Sequence, residues 1–195
     1  MNKNTSSRLF IALILPAKTR EILAAIENRL KKEVGKRAVK WVEKENLHQT
    51  MVFLGRVANK KIKVVEEIMV ALKRNPTLDL SLAKLEFFPD RQRPRIIWLA
   101  LGGEKTKLSS YYHQLRLGLQ RVDFDFDTRF SPHITLGRVR RGRKLIFSIG
   151  LLEKIHEILH RPSSAFVAKK LVLFKSELKQ TGPIYTPIFQ VKLKS

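Results

Sequence analysis

The chain has no cysteine among its 195 residues. That absence removes disulfide staples, thiolate nucleophiles and cysteine-ligated zinc together, and it fits an intracellular, cytoplasmic setting. Carboxylates are scarce: 17 Asp and Glu stand against 39 Lys and Arg, a formal net charge of +22. No apolar stretch approaches the roughly 20 residues a membrane-spanning helix needs, so no membrane role is expected. The run Leu9 to Leu15 follows basic residues and precedes small ones, as a secretory signal does. It reads better as a buried first strand, because the helix-patterned "PAKTREILAAIENRLKKEV" follows at once and needs a surface to pack on. Flexible linkers and low-complexity segments are also missing, so residues 1–195 are expected to form one domain of two closely packed lobes.

What is present points to a globular, polyanion-binding protein. Hydrophobic residues make up 44% of the chain, enough for a sizeable core. The excess of cations predicts a positive surface whose binding to polyanions is salt-sensitive, with nucleic acid the leading partner. Apolar periodicity predicts a strand over Phe10 to Leu15, a helix over Ala17 to Val34 stopped by Gly35, and a short strand over Val39 to Val42. A second helix is expected over Asn59 to Lys73, strands over Leu78 to Phe87 and Ile96 to Leu101, and a third helix over Lys105 to Val122. A fourth helix over Ile149 to His160 and strands over Phe166 to Phe174 and Ile184 to Leu193 complete the pattern. The order strand, helix, motif, helix, strands then repeats weakly, suggesting an internal duplication with one motif in each half.

Those motifs are "LHQTMVFLG", Leu47 to Gly55, and "SPHITLGRV", Ser131 to Val139. Both place His-x-Thr at the start of an apolar, strand-like run. On a strand, residues two apart share a face, so His48 projects with Thr50, and His133 with Thr135. About 7 Å separates such residues along the strand, room for imidazole and hydroxyl to flank a phosphate. Two imidazoles on one phosphate suit acid and base chemistry: a neutral ring accepts a proton from water while a charged one donates. Threonine hydroxyls suit the non-bridging oxygens, and Arg138, five residues after His133, carries a guanidinium fork for the same anion. Taken singly, each His-x-Thr is also consistent with an ordinary hydrogen-bonded strand histidine.

Two other patterns compete. "HEILH", His156 to His160, matches a zinc-protease expression, but Arg161 and Pro162 end the helix there and no histidine follows to complete the ligand set, leaving only Glu177. It is read as one face of an amphipathic helix, and no metal is expected. Asp123, Asp125 and Asp127 alternate as in part of a calcium loop but lack its glycine and terminal glutamate. His113, alone in the third helix, is read as a partly exposed helical residue.

The intact His48-Gln49-Thr50-Met51 and His133-Ile134-Thr135-Leu136, with "RLFIALILP", "PRIIWLAL" and "LVLFKSELKQTGPIYTPI", resemble the two-histidine phosphoesterase superfamily. The similarity is to its RNA 2′,3′-cyclic phosphodiesterase, or 2′-5′ RNA ligase-like, branch, and it covers nearly the whole chain. The resemblance implies an α+β, bilobal fold of two pseudo-symmetric lobes, each with a mainly antiparallel sheet and outer helices, around a cleft holding both histidines. It implies a monomeric enzyme without cofactor that opens a terminal RNA 2′,3′-cyclic phosphate to a 2′-phosphate. By that similarity His48 protonates the leaving 3′ oxygen and His133 activates water, although chemistry alone allows the converse. Thr50, Thr135 and Arg138 are then phosphate ligands, and Phe10 either contacts the terminal base or simply packs in the core. The basic stretches "PDRQRPR" and "RVRRGRK" are expected at the cleft rim, following the RNA backbone. Joining of RNA ends, action on small cyclic nucleotides, and noncatalytic RNA binding remain as alternative functions.

Overall fold

The computed structural model describes residues 6–35, 37–124, 130–180 and 182–195. The apolar N-terminal run is an interior strand: β1, Ser6–Ile14, has a neighbour on either side and buries Leu9 through Leu13. A strand covered on both faces has no place for polar residues, which is why none follows Arg8. Helix α1, Ala17–Val34, lays Leu23, Ile26 and Leu30 on the core and stops at Gly35, whose φ of 79° suits glycine.

The strands form two sheets in which each ladder is antiparallel. The first has the order β3-β1-β8-β9, with β3 at His48–Ala58, β8 at Lys170–Lys179 and β9 at Gly182–Lys192. The second has the order β2-β6-β5-β4-β7, with β2 at Val39–Trp41, β4 at Leu78–Phe88, β5 at Ile96–Gly103, β6 at His133–Val139 and β7 at Ala165–Ala168. Helices α2 (Ile62–Val70), α3 (Lys105–Gln120) and α4 (Ile149–Leu159) complete the α+β arrangement. Buried apolar side chains from both sheets, among them Ile11, Leu54, Leu99 and Ile134, belong to one cluster.

The chain path departs from the expected pattern in two places. The sheets are not the two halves of the sequence: β2, from the first half, joins the second sheet beside β6, while β8 and β9 return from the C-terminus to the first. And Phe166 to Phe174 is not one strand. It divides at Lys169, with Phe166 and Ala168 buried in the second sheet and Leu171 to Leu173 buried in the first. No glycine or proline marks that crossing, so the apolar run reads as continuous. The second helix is also shorter than its periodicity suggests, since residues 59–61 and 71–74 tighten into 3₁₀ turns at its ends.

Candidate active site

Each motif opens a strand, and the two motif strands meet. β3 is an edge of the first sheet; β6 is covered by β2 only from Gly137 onward, which leaves its histidine end open toward β3. His48 and His133 are thereby within electrostatic reach of one another.

The two imidazoles are held alike. The Nδ1–H of His48 donates to the carbonyl of Asn46, 2.6 Å away, and that of His133 donates to the carbonyl of Ser131 at 2.7 Å. In both cases the acceptor lies two residues back. Since a carbonyl only accepts, the proton sits on Nδ1 and Nε2 is the nitrogen left for chemistry. Burial holds the His48 ring below the usual imidazole pKa. The Asn46 carbonyl opposes that shift, and positive charge at His133 adds to it. His48 is therefore neutral near pH 7, and its Nε2 accepts the Thr50 hydroxyl proton at 2.9 Å.

Strand bulges decide which other residues share this face. Along β3, Thr50 lies opposite Ala12 and Val52 opposite Ile11, so Met51 is an extra residue. A second extra residue, Leu54, falls between Phe53 and Gly55. Each bulge shifts the alternation by one, so His48, Thr50, Phe53 and Arg56 emerge together while Met51, Val52 and Leu54 are buried. β6 repeats the device once. Thr135 pairs with Trp98 and Gly137 with Ile97, leaving Leu136 extra. Strict alternation points Arg138 away from His133; the bulge brings it onto the same face. In both motifs the bulged residue is the one after threonine, and the position five after histidine is Phe53 in one sheet and Arg138 in the other. Gly137 is required at that point because a Cβ there meets Val39 Cγ1 at 2.5 Å.

A neighbouring strand backs each imidazole with an aromatic ring. Phe10 of β1 lies 5.0 Å from His48, and Trp98 of β5 meets His133 edge-on at 5.5 Å. At 3% exposure Phe10 offers a base almost no surface; it also packs against Phe174 and Tyr185, and so sits behind His48. Phe53, 61% exposed and 6.1 Å from Phe10, is the open aromatic of this face. Tyr185 of β9 meets His48 edge-on at 5.6 Å. Burial raises its phenol pKa, while the charges of Arg138 and Arg8 pull the other way. Arg138, from the second sheet, thus reaches a group that touches His48 of the first. Phe53, Trp98 and Tyr185 went unassigned in the sequence. Trp98 and Tyr185 lie in the "PRIIWLAL" and "TGPIYTPI" stretches that carry the family resemblance, which was the available signal.

The remaining sequence candidates are placed as follows. The rings of His156, on α4, and His160, which caps its C-terminus, lie tilted with centroids 3.8 Å apart, and His160 Nδ1–H donates to the His156 carbonyl. Among the described residues no group of three His, Asp or Glu is arranged to hold a metal. Asp125 and Asp127 lie outside the described residues. His113 is on α3, exposed and beside Tyr112. The stretches "PDRQRPR" and "RVRRGRK" are adjacent: the Val139 amide donates to the Arg95 carbonyl at 2.9 Å. They meet at the end of β6 opposite His133, six residues or roughly 20 Å along the strand. Among the described residues no helix is long and apolar enough to cross a membrane.

Two antiparallel sheets that present paired His-x-Thr strands to one another define a two-histidine phosphoesterase. The "LigT like Phosphoesterase" family model matches residues 13–98 and 102–185, and the chain belongs to that family. It is 30% identical over 190 residues to the RNA 2′,3′-cyclic phosphodiesterase of Thermotoga maritima, covering 96% of both chains. With the Archaeoglobus fulgidus protein of the same name it shares 32% identity, covering 91% of this chain and 96% of that one. Among solved structures, E. coli LigT complexed with 3′-AMP aligns with a TM-score of 0.74 at 25% identity, over 98% of this chain and 100% of the other. A Thermus thermophilus protein aligns at 0.76 with 24% identity, over 95% and 97%, a likeness of fold.

Proposed function

We propose that the chain hydrolyses the 2′,3′-cyclic phosphate at the end of an RNA to a 2′-phosphate, with His48 and His133 moving the protons. The observation that carries this reading is the matched pair of imidazoles on strands that touch, each held through Nδ1 so that Nε2, in His48 bonded to the Thr50 hydroxyl, is the nitrogen left for proton transfer. Relatives named for this activity across nearly the full chain support it.

In the reaction, water attacks phosphorus and gives a proton to Nε2 of His133. The P–O3′ bond breaks, and O3′ takes a proton from Nε2 of His48, leaving a 3′-hydroxyl and the phosphate on O2′. His48 enters neutral, so it must take up a proton as substrate binds; the negative charge of the diester favours that uptake. The burial that depresses its pKa then makes its imidazolium a readier donor. Thr50, Thr135 and Arg138 hold the non-bridging oxygens, and Phe53 offers its face to a base. Two imidazoles account for both protons, so no step calls for a metal.

The test is RNA ending in a cyclic phosphate, incubated with chelator, with the product read by phosphorus NMR. A 2′-monophosphate is expected, at a rate indifferent to chelator and lower by about 10²–10⁴ in H48A or H133A. Near-normal turnover by either variant rejects the reading. RNA bound with no product formed assigns a noncatalytic role, and a joined product on adding 5′-hydroxyl RNA assigns ligation.

A further inference from the structure

The face of the first sheet that carries His48 continues well beyond the aromatic rings. Pairing registers set Arg56, Arg8, Ser176 and Tyr185 in one row across β3, β1, β8 and β9, on the same face as Phe53 and His48. Arg8 and Arg56 are therefore directly opposed across two strands, both exposed. Like charges in that position repel. Among the described residues no carboxylate pairs with either one. Glu177, beside them in sequence register, is paired with Lys175 at 2.9 Å. The two arginines line an open groove of about 620 Å³ with Ser6, Lys175, Ser176 and Glu177. An arginine pair that lines a groove without a carboxylate partner among the described residues is arranged for an external anion.

The reaction geometry says which anion. In-line displacement puts the attacking water on the His133 side of phosphorus and the leaving O3′ on the His48 side. The ribose, and the RNA behind it, then lies over the first sheet. From Ile14, opposite His48, to Arg8 is six residues of β1, roughly 20 Å. The rings of Phe10 and Tyr185, 5.0 and 5.6 Å from His48, occupy the near part of that interval, and the arginines lie beyond them, where the chain upstream of a nucleotide anchored between the histidines continues. We infer that Arg8 and Arg56 form a clamp for a backbone phosphate upstream of the reacting end, so that the enzyme selects RNA chains over mononucleotides. This rests on the proposed function and on its assignment of His48 to the leaving oxygen. With the roles reversed, the RNA leaves over the second sheet, toward Arg140 and Arg141.

Binding tests it without turnover. A 5′-fluorescein hexanucleotide ending in a 3′-phosphate is titrated by anisotropy at increasing salt, with the mononucleotide 3′-phosphate as reference by competition. Proteins are the unaltered chain, Arg8→Ala/Arg56→Ala, and Arg140→Ala/Arg141→Ala. The first double variant is expected to lose most of the hexamer's advantage over the mononucleotide. Its log–log salt dependence should be shallower by about 0.7 for each phosphate that is no longer neutralised. Removing facing like charges does not weaken the sheet, so its unfolding temperature should not fall. Unchanged hexamer affinity and slope overturn the inference, as does a loss confined to the Arg140/Arg141 variant. Turnover of a cyclic-phosphate end by the unaltered chain is scored separately: its absence overturns the proposed function, while the slope still decides the arginine pair.

Discussion

Gly137→Ala is the sharpest perturbation of how this site is built. Its Cβ meets Val39 Cγ1 at 2.5 Å, Trp41 Cε3 at 3.0 Å and the Lys40 carbonyl at 3.4 Å, all on β2. Carbon atoms pack at about 3.5–4.0 Å, so β2 must retreat by roughly 1 Å. Val39 is buried and cannot swing aside, and the Val42 amide bonded to the Leu136 carbonyl at 2.8 Å is pulled with the strand. Overpacking of this kind costs about 1–3 kcal/mol, and a weakened backbone hydrogen bond adds about 1. For a chain of this length a loss of about 2–4 kcal/mol lowers the melting temperature by roughly 4–16 °C. Circular dichroism reads the melting, and hydrolysis of a cyclic-phosphate RNA reads the site. Turnover should fall by at least tenfold, because the clash on the opposite face displaces the stretch of β6 that sets Thr135 and Arg138 on one side. Val39→Ala in the same chain removes the worst clash and should recover part of both. Gly55→Ala is the contrast: its Cβ meets nothing within 4 Å, but its φ of 65° costs an L-residue about 1–2 kcal/mol that no partner truncation relieves. A Gly137→Ala protein that melts and turns over like the parent refutes this account of the bulge.

Thr50→Val removes the hydroxyl bonded to His48 and one donor to the phosphate; kcat should drop by about 10²-fold, with a smaller change in KM, as steady-state kinetics will show. Phe10→Leu leaves the core filled but takes the ring from behind His48, so kcat should fall while stability drops by less than about 1.5 kcal/mol, compared by urea unfolding and single-turnover rates. The depressed His48 pKa gives a signed pH prediction. Between that pKa and the unfolded value near 6.5 the unfolded chain holds more protons, so stability is full above about pH 6.5 and is lost as pH falls through the folded pKa. In H48Q that part of the acid loss should vanish, an outcome measured by urea unfolding from pH 7.5 to 5.

Much of this site was legible because His-x-Thr is local: two residues on a strand share a face wherever the strand goes. His48 with Thr50 and His133 with Thr135 needed nothing more than period two. Phe53 did not follow, and Arg138 was named for its guanidinium and not for its face, because a bulge after each threonine reverses the alternation, and bulges leave no composition signal in "TMVFLG" or "TLGRV" beyond the glycine. Phe10 was legible as apolar but not as the backing of His48, since that contact depends on the pairing of β1 with β3. Most elements came from periodicity, whereas the α+β class came with the family resemblance carried by the motifs. The Lys169 crossing and the move of β2 into the second sheet are long-range pairing choices that no window of neighbouring residues records.

The central claim is that both imidazoles address one phosphorus. It is tested most directly by imidazole nitrogen NMR of ¹⁵N-histidine-labelled protein titrated with a mononucleotide 2′-phosphate. The Nε2 resonances of His48 and His133 should move together along a single one-to-one binding curve, with His48 gaining a proton as the phosphate arrives. Movement of only one ring, or two curves with different midpoints, contradicts the account.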